Sequence, residues 1–217
     1  MLQLFGHPFS SYTWKALIPL YAHAVPFVSR VLGPDHPDNA SVVQQRTPAG
    51  KFPLLLDGDD AVFEATGIIE YLVATRPECR PLLPAEPIEA ARMRMLDRVF
   101  DNYVMGNMMR VVASHLAAPE APDQREIGAA RQALARAYRW LETWLTAEGE
   151  PQGVTLLTAA AAPSLFYADW VLPIAAEGCT RLAAWRGSLL GLPPVARCVE
   201  EARPFRHLFP PGAPDRD

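Results

Sequence analysis

Hydroxyl groups cluster at the start of the first helix that the sequence predicts. Residues 9–15 read Phe-Ser-Ser-Tyr-Thr-Trp-Lys and lead into apolar residues at helical spacing. A serine at a helix start commonly accepts a backbone hydrogen bond as the N-cap. It can also donate its hydroxyl proton to an anion that the helix dipole stabilises. Ser10 is therefore a simple cap or an anion-binding group, and Ser11 is its alternative, because the sequence does not fix the helix start to one residue.

A carboxylate lies at the start of another predicted helix. Two apolar runs, residues 52–56 and 61–63, flank an Asp-Gly turn at Asp57 and Gly58, a combination that predicts a β-hairpin. Apolar residues from Ile68 to Leu72 then recur at helical spacing. Glu64 stands at the junction, where the free N–H groups of a helix start favour negative charge.

The elements that must position these groups alternate in type over residues 1–76. We predict a strand at 2–5, a helix from about residue 10, a strand at 26–32 and a short helix from Asp38 to Arg46, with Asp38 as its cap, before the hairpin. Pro19 should kink or shorten the first helix. A helix between the first two strands implies that they pair in parallel. This is the element order of the thioredoxin fold.

Beyond a proline-rich segment, residues 76–84, the sequence gives only helical signals. A long helix is expected from Ile88 to about Leu116, bent at Gly106, and another follows Asp123. A very apolar helix should begin at Thr155 and extend to Ala176 with interruptions at its prolines, and two shorter helices should follow. We therefore predict an α/β plus all-α fold: an α/β domain at 1–78, a linker at 79–86, an all-helical domain at 87–209 and a loose tail at 210–217.

Composition excludes several other classes of protein. Half of the residues are apolar, a fifth are charged and the net charge is −4, so no basic surface for nucleic acid is expected. We see no apolar run of membrane-spanning length and no leader at Met1, which predicts a cytoplasmic protein without membrane contact. The three cysteines, Cys79, Cys179 and Cys198, lack metal-ligand spacing, so neither a metal site nor a disulfide framework is expected.

Three stretches, in this order, resemble the cytosolic glutathione S-transferases over most of the chain. The Ser-Ser-Tyr-Thr-Trp-Lys run is similar to the Ser-Ser-Cys-Ser-Trp-Arg run of the zeta class. The hairpin followed by Glu64 resembles the glutathione-binding half of the family, and residues 155–170 resemble its central helix. The resemblance implies a thioredoxin-like glutathione-binding domain, a detoxifying activity and a homodimer, with glutathione as co-substrate and no metal.

The resemblance also implies a set of site residues. Ser10, or alternatively Ser11, would contact the thiol, and the Phe52–Pro53 peptide would be cis and present the Phe52 backbone to the tripeptide. The other residues implied to bind glutathione are Lys51, Pro53, Glu64, Ala65 and Thr66. Ala65 stands where the family has Ser or Thr. The missing hydroxyl should lower the affinity for glutathione about ten- to hundredfold, a loss that Thr66 could offset. Thr158 replaces the family's helix-capping Asp and should lower stability.

The electrophile pocket is predicted between the two domains, with apolar walls from Tyr12, Tyr103, Met108 and Phe166. The first hypothesis is a serine-type glutathione transferase acting on a small hydrophobic electrophile. The zeta-like run raises a second, a glutathione-dependent cis–trans isomerase. A third hypothesis is a non-catalytic binding or scaffold protein, because Ala65, Thr158 and Pro19 each depart from the pattern of the family. No cysteine lies at the activating turn, which disfavours cysteine-based thiol transfer.

Overall fold

The α/β region has the element order that the sequence predicts. The computed structural model describes residues 1–217. Its first seven elements are β1 (Leu2–Gly6), α1 (Ser11–Ala22), β2 (Phe27–Val31), α2 (Pro37–Arg46), β3 (Leu54–Asp57), β4 (Asp60–Phe63) and α3 (Ala65–Thr75). One correction concerns Asp38, which lies in the first turn of α2 and does not cap it, because the helix already begins at Pro37.

The four strands form one sheet in the order β2-β1-β3-β4. Strands β1 and β2 are parallel, with Leu2 opposite Phe27, and β3 is antiparallel to β1. Strands β3 and β4 form the predicted hairpin, in which Asp57 pairs with Asp60. Gly58 has φ +62° in this turn, a conformation that suits glycine. The sheet thus has the mixed pairing that the thioredoxin-like prediction requires.

The remainder of the chain is helical. Its α-helices are α4 (Pro87–Val99), α5 (Gly106–Ala117), α6 (Gln124–Glu148), α7 (Leu156–Val171), α8 (Thr180–Leu190) and α9 (Pro193–Ala202). Short 3₁₀ segments lie at Pro77–Leu82, Ile174–Glu177 and Arg203–Leu208. The first of these crosses the predicted start of the linker and buries Cys79 and Leu82.

A π-helical turn at Phe100–Met105 joins α4 to α5. The sequence predicted one helix bent at Gly106, and the structure places the irregular turn immediately before that glycine. π-turns are rare and often occur at functional sites. This one carries Asp101 and Asn102 to a cavity described below.

Two helices continue through an internal proline. The sequence predicted that α7 would be interrupted at its prolines, and the helix continues through Pro163 but ends at Val171, before Pro173. Helix α1 continues through Pro19, whose carbonyl accepts from the N–H of His23 at 3.1 Å. Each proline removes one donor from the helix, and the buried packing around both helices compensates for that loss.

Helix α7 is buried along its whole length and joins the two regions into one core. The rings of Trp14 on α1 and Phe166 on α7 are 4.9 Å apart, and the Tyr167 hydroxyl donates to the Phe9 carbonyl at 2.9 Å. Thr155 caps α7, as predicted, and the Thr158 hydroxyl donates to the Gly153 carbonyl at 2.6 Å. No helix has the length and hydropathy needed to cross a membrane.

The C-terminal tail, predicted to be loose, is held against the helical region. Arg216 binds the side chain of Asp169 and donates to its carbonyl at 2.9 Å. Asp217 forms ion pairs with Arg203 at 2.9 Å and with Arg206 at 3.1 Å. Charged residues of the tail thus find partners on α7 and on the last 3₁₀ segment, which sequence pattern does not reveal.

Candidate functional site

A polar cavity of about 260 Å³ lies beside the start of α3. Residues from one continuous stretch of chain, between Thr47 and Ala65, form most of its wall. The complete lining is Tyr12, Thr47, Pro48, Ala49, Lys51, Phe52, Pro53, Phe63, Glu64, Ala65, Arg98, Asp101 and Asn102. The predicted binding residues Lys51, Phe52, Pro53, Glu64 and Ala65 therefore lie together.

The Phe52 backbone is available to a ligand. The Phe52–Pro53 peptide is cis, as the resemblance implied, and Phe52 lies just outside β3. Its N–H and C=O make no backbone hydrogen bond within the chain. An extended peptide in the cavity could pair with both groups as a short added strand.

Glu64, immediately before α3, has an unusual backbone conformation. Its φ is +64°, a left-handed conformation that costs a non-glycine residue free energy and often marks functional positions. Its side chain neither caps the helix nor forms any other hydrogen bond within the chain. The first N–H groups of α3 and the Glu64 carboxylate therefore both face possible ligands, while Ala65 contributes no hydroxyl.

Thr66, also predicted to bind, does not line the cavity. Its hydroxyl donates to Asp97 Oδ2 on α4 at 2.9 Å and contacts the Arg98 guanidinium. The hydroxyl points towards the helical region because Asp97 is buried there and needs donors. Thr66 thus does not supply the hydroxyl that Ala65 lacks.

A second, apolar cavity of about 440 Å³ adjoins the first, and Tyr12, Lys51 and Phe52 line both. Its other lining residues are Phe9, Ser10, Ser11, Gly50, Met108, Met109, Val112, Leu116, Tyr167, Leu208, Phe209 and Pro210. Met108 lies here as predicted. The structure does not place Tyr103 or Phe166 in this cavity: Tyr103 is exposed on the π-turn, and Phe166 is in the core between α1 and α7.

The two serines line the apolar cavity at the start of α1, next to Tyr12, and neither lines the polar cavity. Ser10 is the N-cap, and its Oγ accepts from the Thr13 N–H at 3.3 Å, which leaves its own proton free to donate. Ser11 is the first helical residue, and its hydroxyl forms no hydrogen bond within the chain. Both serines therefore retain a donor at a helix N-terminus, and the choice between them stays open.

The Tyr12 phenol stands between the two cavities. Burial, together with the negative charges of Asp101 and Glu64, raises the pKa of Tyr12 to about 12. The phenol is thus neutral at physiological pH and can only donate its proton in a hydrogen bond or accept one.

Behind the polar cavity, α1 and α4 share a buried ionic cluster. Lys15, 1% exposed, pairs with Asp97 at 2.5 Å and with Asp101 at 2.8 Å. Arg98 contacts both carboxylates from the solvent side. Burial raises the pKa of Asp101, and the neighbouring Lys15 opposes that rise. The cluster fixes the π-turn against the helix that carries the serines.

Sequence reasoning missed Arg98, Asp101 and Asn102 in the polar cavity and the segment Leu208–Pro210 in the apolar one. The sequence does carry one signal for buried ion pairing. Charged residues at Asp97, Arg98 and Asp101 follow one another in a predicted helix that otherwise has an apolar face. No sequence pattern near Leu208–Pro210 indicates that these residues line a cavity.

The cysteines lie in neither cavity. All three are buried and free. Burial raises the pKa of Cys79 to about 11 and also raises the pKa values of Cys179 and Cys198. Buried thiols with raised pKa values are poor nucleophiles.

Comparison with known sequences matches part of the chain. Residues 4–80 match the family model of the glutathione S-transferase N-terminal domain. A Caenorhabditis elegans protein described as "Probable maleylacetoacetate isomerase" is 30% identical over 93 residues, 43% of this chain and 43% of that protein. The match thus spans less than half of that relative's length.

Solved structures match nearly the whole chain. A glutathione transferase from Populus trichocarpa superposes with a TM-score of 0.77 at 20% identity, covering 93% of this chain and 99% of that one. A glutathione S-transferase from Methylobacillus flagellatus, solved with gsh bound, has a TM-score of 0.77 at 17% identity and covers 91% and 98%. These matches show a shared fold.

Proposed function

We propose that the protein is a glutathione transferase, because residues 4–80 match the model of the glutathione S-transferase N-terminal domain and the whole chain shares the fold of solved glutathione transferases. Glutathione would occupy the polar cavity, and a small hydrophobic electrophile would occupy the apolar one. The observation that carries the proposal is the contact between the two cavities at Tyr12, Lys51 and Phe52, next to the serines of α1. A ligand in one cavity can thus react with a ligand in the other.

The peptide would be held along the stretch from Lys51 to Ala65. The free Phe52 backbone would pair with the cysteinyl residue, and Lys51 would lie near the glycyl carboxylate. The γ-glutamyl group would lie at the start of α3, near Glu64 and Ala65, where the helix N–H groups favour its carboxylate.

The chemical task is to make a thiolate. A free thiol with a pKa of about 8.5 is only about 3% ionised at pH 7. A donated serine hydroxyl together with the α1 dipole can stabilise the anion by about 2–3 kcal/mol. Since about 1.36 kcal/mol equals one pKa unit, the thiol becomes largely ionised. No general base is needed, and the thiolate then attacks the electrophilic carbon, with the leaving group departing with the bonding electrons.

Retention on immobilised glutathione, with elution by free glutathione, tests binding. Conjugation of glutathione to chlorodinitrobenzene, an apolar aromatic electrophile, tests catalysis. Retention with conjugation supports the transferase. Retention without turnover of this or other electrophiles supports the non-catalytic binding protein, and no retention at millimolar glutathione contradicts the proposal.

Ser10→Ala and Ser11→Ala form a matched pair that identifies the thiol's partner. The variant that loses this donor should show a fall of about tenfold or more in kcat/KM at neutral pH. Its pH–rate profile should also move towards the pKa of the free thiol, while the other variant keeps the wild-type profile. Wild-type profiles in both variants would exclude both serines from this role.

A second candidate, glutathione-dependent cis–trans isomerisation, is favoured by the similarity to the nematode protein named for maleylacetoacetate isomerisation. The apolar cavity discriminates between the two activities, because Lys51 is its only charged lining residue. The dianionic substrate of the isomerisation, maleylacetoacetate, would meet mostly apolar walls there, which favours the transferase activity. Turnover of maleylacetoacetate faster than that of an apolar electrophile would reverse this ranking.

A homodimer and a cytoplasmic location complete the proposal. Ile88 and Met95 lie two turns apart on α4 and are exposed, as are Phe63 and Tyr103. A second copy of the chain would cover such a surface. Analytical ultracentrifugation should give a dimer that Met95→Glu weakens. The three free, buried cysteines suit a reducing compartment.

A further inference from the structure

The polar cavity contains an arginine that has an unused donor. Arg98, in the last turn of α4, donates through Nε to Asp97 Oδ2 at 3.1 Å and through Nη2 to Asp101 Oδ2 at 2.7 Å. Nη2 also contacts Asp97 Oδ2 and the Thr66 hydroxyl. Its other terminal nitrogen, Nη1, donates to no group of the chain, and the side chain is 49% exposed.

The same cavity contains an unused acceptor. The Glu64 carboxylate forms neither a hydrogen bond nor an ion pair within the chain, although Arg98 lines the cavity with it. One free cationic donor and one free carboxylate in a single cavity are complementary to the carboxylate and ammonium of an α-amino acid. The γ-glutamyl end of glutathione carries this pair of charges.

The orientation of Arg98 is fixed before any ligand arrives. Asp97 is fully buried and Lys15 holds it from the other side, so Nε and Nη2 of Arg98 have little freedom. The two carboxylates of Asp97 and Asp101 balance the charges of Lys15 and Arg98. Nη1 is therefore presented as an oriented donor from a neutral cluster, an arrangement that keeps the entropy loss on binding small.

Position 65 shows why such a donor is needed. Ala65 is buried and has no hydroxyl, and the Thr66 hydroxyl is occupied by Asp97. Within the α3 start, only backbone N–H groups remain for a ligand carboxylate. We propose that Arg98, from the helical region, binds the γ-glutamyl α-carboxylate through Nη1 and replaces the hydroxyl that residue 65 lacks. This inference rests on the proposed binding of glutathione.

The test crosses variants of the protein with variants of the ligand. Calorimetry would measure Kd for glutathione and for 4-aminobutyryl-Cys-Gly, which lacks only the α-carboxylate. The wild type should bind the analogue about ten- to hundredfold more weakly. Arg98→Gln should lose a similar factor for glutathione and show little further loss for the analogue. Ala65→Ser added to Arg98→Gln should recover part of the affinity for glutathione.

Arg94→Gln is the matched control. Arg94 lies one turn before Arg98 on the same helix and pairs with Glu70 on α3 at 2.6 Å, but it does not line the cavity. It should leave both Kd values unchanged. If Arg98→Gln does not fold, Arg98→Lys replaces it, because lysine keeps the charge but not the second terminal nitrogen.

The possible failures are distinguishable. If the wild type does not bind glutathione, the proposed function fails, and the inference fails with it. If the wild type binds glutathione but Arg98→Gln weakens glutathione and the analogue by the same factor, Arg98 acts only on the structure and its assignment is wrong. An unchanged Kd for glutathione in Arg98→Gln also overturns the assignment.

Discussion

The two adjoining cavities are built from the chain in different ways. The polar cavity takes most of its wall from one stretch, Thr47 to Ala65. The apolar cavity draws on five separate segments: residues 9–12, 50–52, 108–116, Tyr167 and 208–210. The polar cavity is backed by a buried ionic cluster, whereas part of the wall of the apolar cavity is formed by Leu208–Pro210, just before the segment that ion pairs hold to the helical region.

This difference separates two kinds of specificity. A peptide can be recognised by backbone groups and helix ends, which a short stretch supplies through its local conformation. An apolar pocket requires only volume and apolar surface, which distant segments can supply together. Changes behind the polar cavity should therefore alter folding and peptide binding together, while changes at the tail should alter only the use of the electrophile.

Lys15→Met should have the largest effect. It leaves the buried carboxylates of Asp97 and Asp101 without their main cation, a loss of about 3–5 kcal/mol in the free energy of unfolding. Urea denaturation measures this change. Arg92→Met, which removes an exposed pair with Glu89, should change stability by less than about 0.5 kcal/mol. Equal losses in the two variants would show that the cluster does not stabilise the fold.

Arg216→Ala should affect the apolar cavity alone. It releases the contact with Asp169 that holds the tail next to Leu208–Pro210. A loss of about 1 kcal/mol in the binding free energy of the electrophile should raise KM for chlorodinitrobenzene about fivefold. The Kd for glutathione should not change. Arg197→Ala, which changes an exposed side chain of α9 outside both cavities, is the control. A parallel rise in the Kd for glutathione would mean that the two cavities are coupled.

Thr155→Ala should lower stability without changing either cavity. The Thr155 hydroxyl accepts from the Thr158 N–H at 3.4 Å and caps α7, so its loss should cost about 1 kcal/mol. Thr155→Ser keeps the oxygen and should retain most of the stability. Thermal denaturation would show the difference, with Kd and KM unchanged in both variants.

Asp57→Asn, at the end of β3, should have the smallest effect on stability. The hydrogen bond from Arg76 lowers the pKa of Asp57 below its ordinary 3.8, burial opposes this, and Tyr71 adds to it. Because the folded-state pKa is lowered, the stabilisation is complete above 3.8 and is lost as the pH falls through the folded value. The variant should lose about 0.5–1 kcal/mol at neutral pH and match the wild type in acid. A constant difference at every pH would contradict the assignment.

Most of the α/β region followed from sequence because its signals are local. The Asp57-Gly58 turn, the apolar alternation around it and the helix after Glu64 each predict one element without reference to distant residues. The predicted interruption at Pro163 was wrong for the opposite reason: burial on all sides of α7 outweighs the local preference of proline.

The site divides in the same way. The sequence by itself determined the hairpin, the serine-capped helix start and the acidic residue before α3, since backbone conformation and capping depend on neighbouring residues. Tertiary structure decided that Arg98 and Asp101 enter the polar cavity, that Phe166 lies in the core and that Leu208–Pro210 line the apolar cavity. Those outcomes depend on packing between segments far apart in the chain, which leaves no periodic pattern in the sequence.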